Sequence, residues 1–330
     1  MAILNKLLNL NISDNKESNK ELKEKSIDEQ IIQSGFEISD CSEICDDCTI
    51  SYPKSLKFEE TEPLWNSTKP FGLHLIISTG KSDWPHDATG IEGTLSNKIS
   101  NWASEESGKT SIGNIKVTCS SLSNDNLIID DDYINQKKGD VLIMPYFLWL
   151  RGIKLDEVDE KFNILLSIFN EHNLKNKELE KEKGEDNGDI VNNRKDLKFE
   201  YIKSKLPTIE EDINLSYIFF CSHKTRDKRC GITAPIMKKE MDLYLRDIGY
   251  YRDYGDQTPN GISVAFINHI GGHKFAANVI IYIKSTGQNI WLGLCKPNNC
   301  KPIIDQCILE KGKVWPNKVR ILQKFDPIEW

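Results

Sequence analysis

The chain has 330 residues, a formal net charge of −7 and 38% hydrophobic residues. This length allows two domains of ordinary size, and the polar surplus indicates additional disordered segments. An acidic chain disfavours nucleic-acid binding, and no apolar run is long enough to span a membrane. The first residues lack a signal-peptide cleavage pattern and the arginines of a mitochondrial presequence. We therefore expect a cytoplasmic protein without nucleic-acid or membrane partners, with a mitochondrial location as the alternative.

Residues 1–55 are rich in Asn, Lys, Glu and Ser, and we expect a mostly disordered extension there. Cys41, Cys45 and Cys48 lie near its end. Their spacing could bind a metal or supply a Cys-x-x-Cys redox pair, since cysteines of a reducing compartment remain thiols. The sequence offers no obvious fourth ligand, which favours a surface thiol cluster without a bound metal.

Residues 56–172 are predicted to form an N-terminal α/β domain. A buried-strand run at 73–80 precedes a helical pattern at 91–105, and two further strand patterns follow. The apolar run at 162–170 fits either a strand or a helix. Residues 173–212 are highly charged and are predicted to be a linker.

Residues 213–330 are predicted to form the second domain. The order is a strand at 215–223, a helix at 234–250 with Pro235 in its first turn, a strand at 261–270, a hairpin at 275–295 and a closing helix. This order is typical of a thioredoxin-like arrangement. The predicted fold class is therefore α/β with two domains, the C-terminal one thioredoxin-like and the N-terminal one more divergent.

Four metal-ligating side chains fall at the strand ends of the second domain. Cys221 ends the first strand, Cys230 precedes the predicted helix, and His269 and His273 flank the end of the next core strand. Loops at neighbouring strand ends meet at one edge of a sheet, so we expect these side chains to converge. The glycine pair between the histidines argues against a helix that carries both on one face.

Two kinds of metal centre fit two cysteines and two histidines. Zinc takes this set readily, but its structural sites usually draw cysteines from a shorter knuckle than Cys-x8-Cys. A [2Fe-2S] cluster with two cysteines on one iron and two histidines on the other has the Rieske ligand set. Rieske proteins interleave cysteine and histidine, whereas here the cysteines and histidines are segregated.

The runs CSHKTRDKRCG and HIGGH resemble the C-x8-C and H-x-G-G-H signature of the sucrase/ferredoxin-like family. Arg226, Asp227, Arg229 and Gly231 fit the family's Arg-Asp-x-Arg-Cys-Gly run, and residues 63–87 match the family in the first domain. The resemblance implies a thioredoxin-like [2Fe-2S] ferredoxin. It further implies that Cys221 and Cys230 bind the iron that stays ferric and that His269 and His273 bind the reducible iron.

The predicted function is therefore electron transfer in cytosolic redox homeostasis, by an electron carrier rather than an enzyme with its own substrate. Neutral imidazoles in place of thiolates raise the potential of such a cluster, and an exposed ring nitrogen would couple reduction to proton uptake. The alternative function is a structural zinc-binding interaction protein that uses the same four residues. A thiol oxidoreductase is a third interpretation, but Cys-x8-Cys cannot place both thiols at one helix N-terminus.

The chain ends Ile328-Glu329-Trp330. A terminal aromatic ring with a free carboxylate is a compact recognition element. It resembles the C-terminal tripeptide that brings client proteins to the cytosolic iron–sulfur assembly targeting complex, so we expect that complex as a partner beside an unknown redox partner. The alternative is a tail packed on its own domain.

Overall fold

A computed structural model describes residues 25–182, 197–253, 255–272 and 275–330. Within these residues the strands are β1 Glu37–Ile38, β2 Leu73–Ser78, β3 Ile115–Ser120, β4 Lys138–Met144, β5 Leu148–Lys154, β6 Ile209–Glu211, β7 Ser216–Cys221, β8 Ile262–Ile267, β9 Val279–Ile283, β10 Gln288–Leu292, β11 Lys313–Val314 and β12 Val319–Lys324.

The helices are α1 Ile27–Gln33, α2 Leu95–Glu106, α3 Asn126–Ile129, α4 Asp131–Ile134, α5 Val158–Glu182, α6 Phe199–Lys205, α7 Lys228–Asp247 and α8 Cys300–Pro302. A π-helix, Ile303–Leu309, continues directly from α8, and single 3₁₀ turns lie at Leu155–Glu157 and Pro297–Asn299. Among the described helices, none combines the length and apolarity needed to cross a membrane.

Ten of the strands form one mixed sheet in the spatial order β12-β10-β9-β7-β8-β3-β2-β4-β5-β6. The expected mixed α/β class is confirmed by this sheet and the helices around it. Its strands come from both predicted domains, so the division into two domains and the thioredoxin-like assignment stay predictions. Strand β12, at one edge, was not predicted.

The sheet contains the same four-strand arrangement twice. In the first repeat, β2 pairs parallel with β3 and antiparallel with β4, which pairs antiparallel with β5. In the second repeat, β7 makes the same pairings with β8 and β9, and β9 pairs with β10. A helix, α2 or α7, connects the parallel strands of each repeat, because parallel neighbours need a crossover connection.

The two repeats meet where β3 and β8 pair antiparallel, with Ser120 opposite Ile267. The backbone N–H of Ser121 donates to the Phe266 carbonyl over 2.9 Å, and that of Asn268 donates to the Cys119 carbonyl over 3.0 Å. These residues lie at or just beyond the carboxyl ends of β3 and β8. Because β2 and β7 run parallel to β3 and β8, the carboxyl ends of all four strands gather at this junction.

Each repeat is covered by helices on one face, and the other faces contribute to a common core. Phe71 packs against Trp291 with ring centroids 5.8 Å apart, and Nδ1 of His74 lies 2.7 Å from the Tyr282 hydroxyl. Such burial on both faces explains why β2 and β7 read as continuous apolar runs. His74 is therefore a hydrogen-bonded core residue.

Residues 25–55, expected to be mostly disordered, instead hold a helix and a strand on the second repeat. Ser26 and Glu29 form a capping box at the start of α1, and β1 pairs parallel with β11. Ile31 and Phe36 are buried in the core of the second repeat. The segment has few large apolar residues among many polar ones, and the core that accepts Ile31 and Phe36 comes from distant segments, so no clear pattern marks it in the sequence. Residues 1–24 lie outside the described residues.

Three described elements occupy the predicted linker at 173–212. Helix α5 starts at Val158 and continues to Glu182, which identifies the ambiguous run at 162–170 as helix. Helix α6 and strand β6 follow, and β6 extends the sheet by pairing with β5. The remaining residues, 183–196, lie outside the described residues.

Two neighbouring isoleucines of α1 test whether the N-terminal segment is part of the core. Ile31 is completely buried, whereas Ile32 is 60% exposed. Replacement of Ile31 with Ala should lower the free energy of unfolding by about 2–5 kcal/mol, because it leaves a cavity. Replacement of Ile32 with Ala should change it by less than about 0.5 kcal/mol. Urea denaturation of the full chain measures both, and equal effects would contradict the packed arrangement.

Candidate metal centre

Cys221 is the last residue of β7, a strand in which all six residues are buried. Its side chain is 1% exposed, and its backbone N–H donates to the Asn278 carbonyl over 3.4 Å. The thiol therefore emerges at the carboxyl end of the sheet, beside the junction of the two repeats.

Cys230 lies in the first turn of α7, and this helix begins earlier than expected. Asp227 caps it by accepting the Arg229 backbone N–H and also forms an ion pair with the Arg229 side chain over 2.8 Å. The predicted start near residue 234 is wrong, because the position of Pro235 was taken as a first-turn signal, whereas Pro235 lies inside the helix. The thiol of Cys230 is completely buried.

His269 lies two residues after β8 and completes a group of three donors. Its Nδ1 atom is 3.7 Å from Sγ of Cys221, and the ligand atoms of Cys221, Cys230 and His269 all lie within 4.8 Å of one another. His273, the fourth predicted ligand, lies outside the described residues. The structure thus brings together three of the four predicted ligands.

The loop after His269 has the backbone conformation that its glycines predict. Gly271 and Gly272 have φ angles of +91° and +72°, a region in which side chains other than glycine are strained. A Cβ atom on Gly272 would also lie 2.4 Å from Nη2 of Arg320. The glycine pair is therefore needed for both the turn and a close approach by an arginine.

The two thiols differ in acidity because they are hydrogen-bonded to each other. The hydrogen bond with Cys230 lowers the pKa of Cys221 to about 5, and His269 acts in the same direction, against the effect of burial. The same hydrogen bond, together with burial, raises the pKa of Cys230. Cys221 is therefore the more acidic thiol of the pair, and a thiolate is the form that binds soft cations.

His223 is a neighbour of the centre rather than one of its three donors. It is 1% exposed, and its Nδ1 accepts the backbone N–H of His269 over 3.1 Å. Its Nε2 therefore carries the proton and donates to the carbonyls of Trp84 and Pro85, at 2.9 and 3.0 Å. His223 thus connects the backbone at His269 to a loop of the first repeat.

That loop, residues 82–88, packs over the segment between the two cysteines. The Ser222 hydroxyl donates to the Ser82 carbonyl over 2.6 Å. The carboxylate of Asp83 accepts both the backbone N–H and the hydroxyl of Thr225, at 3.0 and 2.8 Å. The first repeat therefore supports the centre of the second repeat through side chains and backbone.

Arg320, on β12, places a buried positive charge beside the centre. It is 1% exposed, and its guanidinium donates to four neutral acceptors: the carbonyl of Gly271, the side-chain oxygen of Asn278, and the hydroxyl and carbonyl of Ser67. Burial lowers its pKa to about 10, while the charge of Cys221 opposes that shift. A buried cation without a carboxylate is costly unless an anionic group lies nearby.

Arg320 and Asn278 were not predicted from the sequence, and His223 was not among the predicted ligands. The position of His223 two residues after Cys221 was the only signal for it. Nothing in the sequence indicated Arg320, because it lies on an unpredicted strand about 50 residues after His269. The exposed basic residues Lys224 and Lys228 remain without an assigned role.

The sucrase/ferredoxin-like family model matches residues 64–321, and the chain belongs to that family. The resemblance noted from the two short motifs is thereby confirmed, and it extends over most of the chain.

Two curated relatives have different extents of similarity. The chain is 36% identical to Actin patches distal protein 1 of Saccharomyces cerevisiae over 276 residues, which are 82% of this chain and 80% of the relative. It is 33% identical to Altered inheritance of mitochondria protein 32 of Debaryomyces hansenii over 108 residues, 32% of this chain and 36% of that relative. No solved structure shows a significant match.

Proposed function

We propose that this protein is an electron-transfer protein carrying one [2Fe-2S] cluster on Cys221, Cys230, His269 and His273. The observation that supports it most is the convergence of two cysteines and one histidine from three separate elements. Two sulfur donors and an imidazole suit iron–sulfur and zinc centres better than hard cations. The family name, sucrase/ferredoxin-like, favours the iron–sulfur choice.

Arg320 provides an independent test of fit. Two cysteine thiolates bring negative charge to the centre, and the guanidinium of Arg320 holds the adjacent Gly271 carbonyl over 3.3 Å. An electron added to the centre makes it more negative still, so a fixed neighbouring cation favours the reduced state. The buried arginine thus fits a centre that gains and loses an electron.

A [2Fe-2S] cluster, when bound, supplies reversible one-electron chemistry. The protein's residues supply the surroundings: Cys221 and Cys230 are buried, whereas His269 is half-buried. His269 is therefore the least enclosed of the three described donors, although its Nε2 atom is itself inaccessible to solvent. We place this activity in cytosolic redox homeostasis, with reduction coupled to proton uptake at a histidine ligand.

The first experiment is anaerobic purification followed by visible absorption and EPR, before and after dithionite. We expect a red-brown protein and an EPR signal in the reduced state. The potential should fall as pH rises, by at most about 59 mV per pH unit for a one-electron couple. Replacement of His269 with Cys should lower the potential, because a thiolate adds negative charge to the reducible iron.

A colourless protein would contradict this proposal. Zinc that is present in the wild type and lost after Cys230→Ser would instead support the alternative, a structural zinc-binding interaction protein. Zinc that persists after Cys230→Ser would belong to another site and would not bear on this one.

Arg320 should tune the potential through its charge. We expect Arg320→Gln to lower the potential by at least about 59 mV. For one electron, this corresponds to a tenfold change in the ratio of reduced to oxidised protein. Arg320→Lys keeps the charge and should retain most of the wild-type potential. Arg246→Gln makes the same charge change at an exposed residue in the last turn of α7 and is the matched control. Equal shifts for Arg320→Gln and Arg246→Gln, in a redox titration followed by EPR, would exclude this role.

We further propose that Ile328, Glu329 and Trp330 bring the chain to the cytosolic iron–sulfur assembly targeting complex. In the structure this tail packs on the chain itself: the Trp330 ring lies 6.2 Å from the Phe199 ring, and Nζ of Lys284 donates to the Trp330 carboxyl group over 3.2 Å. Ile328 and Trp330 are also partly buried against the core of the first repeat, whereas Glu329 is exposed. The tail must therefore detach before another protein binds it.

Two changes separate targeting from packing. Deletion of Trp330 removes the recognition element and should lower the iron content of protein isolated from cells severalfold. Phe199→Ala loosens the docked ring but keeps the tripeptide, so targeting predicts normal iron content. Iron lost equally in both variants would show that tail packing, rather than targeting, is what matters.

A further inference from the structure

A second group of thiols lies outside the centre described above. A cavity of about 280 Å³ separates the N-terminal segment from α7 and α8. Cys45, Cys48 and Cys300 line it together with the carboxylates of Glu240 and Asp47. Cys300 is 255 positions from Cys45 in the chain, so only the fold brings these thiols to one cavity.

The two N-terminal thiols are held on a turn that is docked on the second repeat. The backbone N–H of Cys45 donates to the Asn298 carbonyl over 2.8 Å, and the Asn299 side chain donates to the Glu43 carbonyl over 2.7 Å. The N–H of Cys48 donates back to the Cys45 carbonyl over 3.4 Å. This Cys-x2-Cys turn has the spacing of a zinc knuckle.

The opposite wall supplies a buried thiol and a carboxylate. Cys300 is 3% exposed, and its thiol donates weakly to the Met237 carbonyl over 3.5 Å. Glu240 reaches across the cavity, with Oε2 3.8 Å from Sγ of Cys48. The other oxygen of Glu240, Oε1, is inaccessible to solvent and has no hydrogen-bond partner among the described residues. A buried carboxylate oxygen without a partner is costly unless a cation or a donor reaches it.

We propose that Cys45, Cys48, Cys300 and Glu240 form a second metal site, which binds Zn²⁺. Zinc accepts thiolate and carboxylate ligands in a four-coordinate site, and the Cys-x2-Cys turn provides two of them. The donors are more widely spaced than those of the first centre, so the turn closes onto the metal as it binds. Binding releases the thiol protons to solvent and leaves the four-ligand site negatively charged, and Lys301 at the cavity wall offsets part of that charge.

This site would fasten the N-terminal segment to the second repeat. Zinc would join a turn at 45–48 to α7 and α8, adding to the contacts of Ile31 and Phe36 with the same core. The zinc site is redox-inactive, and its existence does not depend on the cluster or on the proposed electron transfer. Its role is to fix one end of the chain next to the helix whose first turn holds Cys230.

The test uses Co²⁺, whose bonds to thiolates are coloured. The full chain with Cys221→Ser and Cys230→Ser lacks the sulfur ligands of the first centre. We expect it to bind about one equivalent of Co²⁺ with an intense sulfur-to-cobalt absorption band, and Zn²⁺ should displace it. Addition of Cys48→Ser should weaken binding at least tenfold. Cys41→Ser, an exposed thiol of the same segment that does not line the cavity, should leave binding unchanged.

Elemental analysis of otherwise unaltered protein gives a second readout, which does not require the double-serine chain to fold. Zinc should be present in the wild type and in Cys41→Ser, and absent from Cys48→Ser, while iron stays the same in all three. Absence of the absorption band from a folded double-serine chain, or equal zinc in Cys41→Ser and Cys48→Ser, would overturn the second site. Loss of iron alone would count against the electron-transfer proposal and not against this one.

Discussion

The short antiparallel pairing of β3 with β8 is the contact on which the rest of the arrangement depends. The two strands meet only at their carboxyl ends, at Ser120 and Ile267. Each strand has a parallel neighbour, so this contact gathers four carboxyl ends in one place. The loops that leave those ends must then pack on one another. This geometry explains why residues 82–88 of the first repeat hold His223 and Thr225 of the second.

Among the described residues, the candidate metal-binding group lies at the strand ends of the second repeat, and the corresponding positions of the first repeat hold other residue types. Cys221 lies opposite Ile267 in the second repeat, and Ser78 lies opposite Ser120 in the first. Ser78 therefore occupies the position that corresponds to Cys221, and Leu122 follows at the position that corresponds to His269. Neither a serine hydroxyl nor a leucine side chain is a ligand for soft metals. The first repeat contributes support through its loop and through the core that it shares.

Buried charge is the second constraint on the centre. Arg320 is enclosed by neutral acceptors, and its guanidinium contacts the glycine turn at one side and Asn278 at the other. Asn278 in turn accepts the backbone N–H of Cys221. Arg320 thus contacts both the segment just before β9 and the loop after His269. Its positive charge favours negatively charged ligands. The N–H groups of its guanidinium hold the two chain segments that position those ligands.

The sequence by itself determined the mixed α/β class, most of the core strands and the two short motifs that contain the candidate ligands. These features are local: an apolar run, a cysteine spacing and a glycine pair depend on neighbouring residues alone. Only the tertiary structure decided that the N-terminal segment packs on the second repeat, that Arg320 lies beside Gly272 and that Cys300 shares a cavity with Cys45. Those contacts join residues that are distant in the chain, 48 positions apart for Gly272 and Arg320 and 255 for Cys45 and Cys300. Tertiary packing creates them without leaving a periodic pattern in any one segment. The start of α7 at Lys228 has both a local and a tertiary cause. The Asp227 cap is a local signal for that start, whereas Pro235 is a local signal for a later start, and packing of the helix on the sheet decides between them.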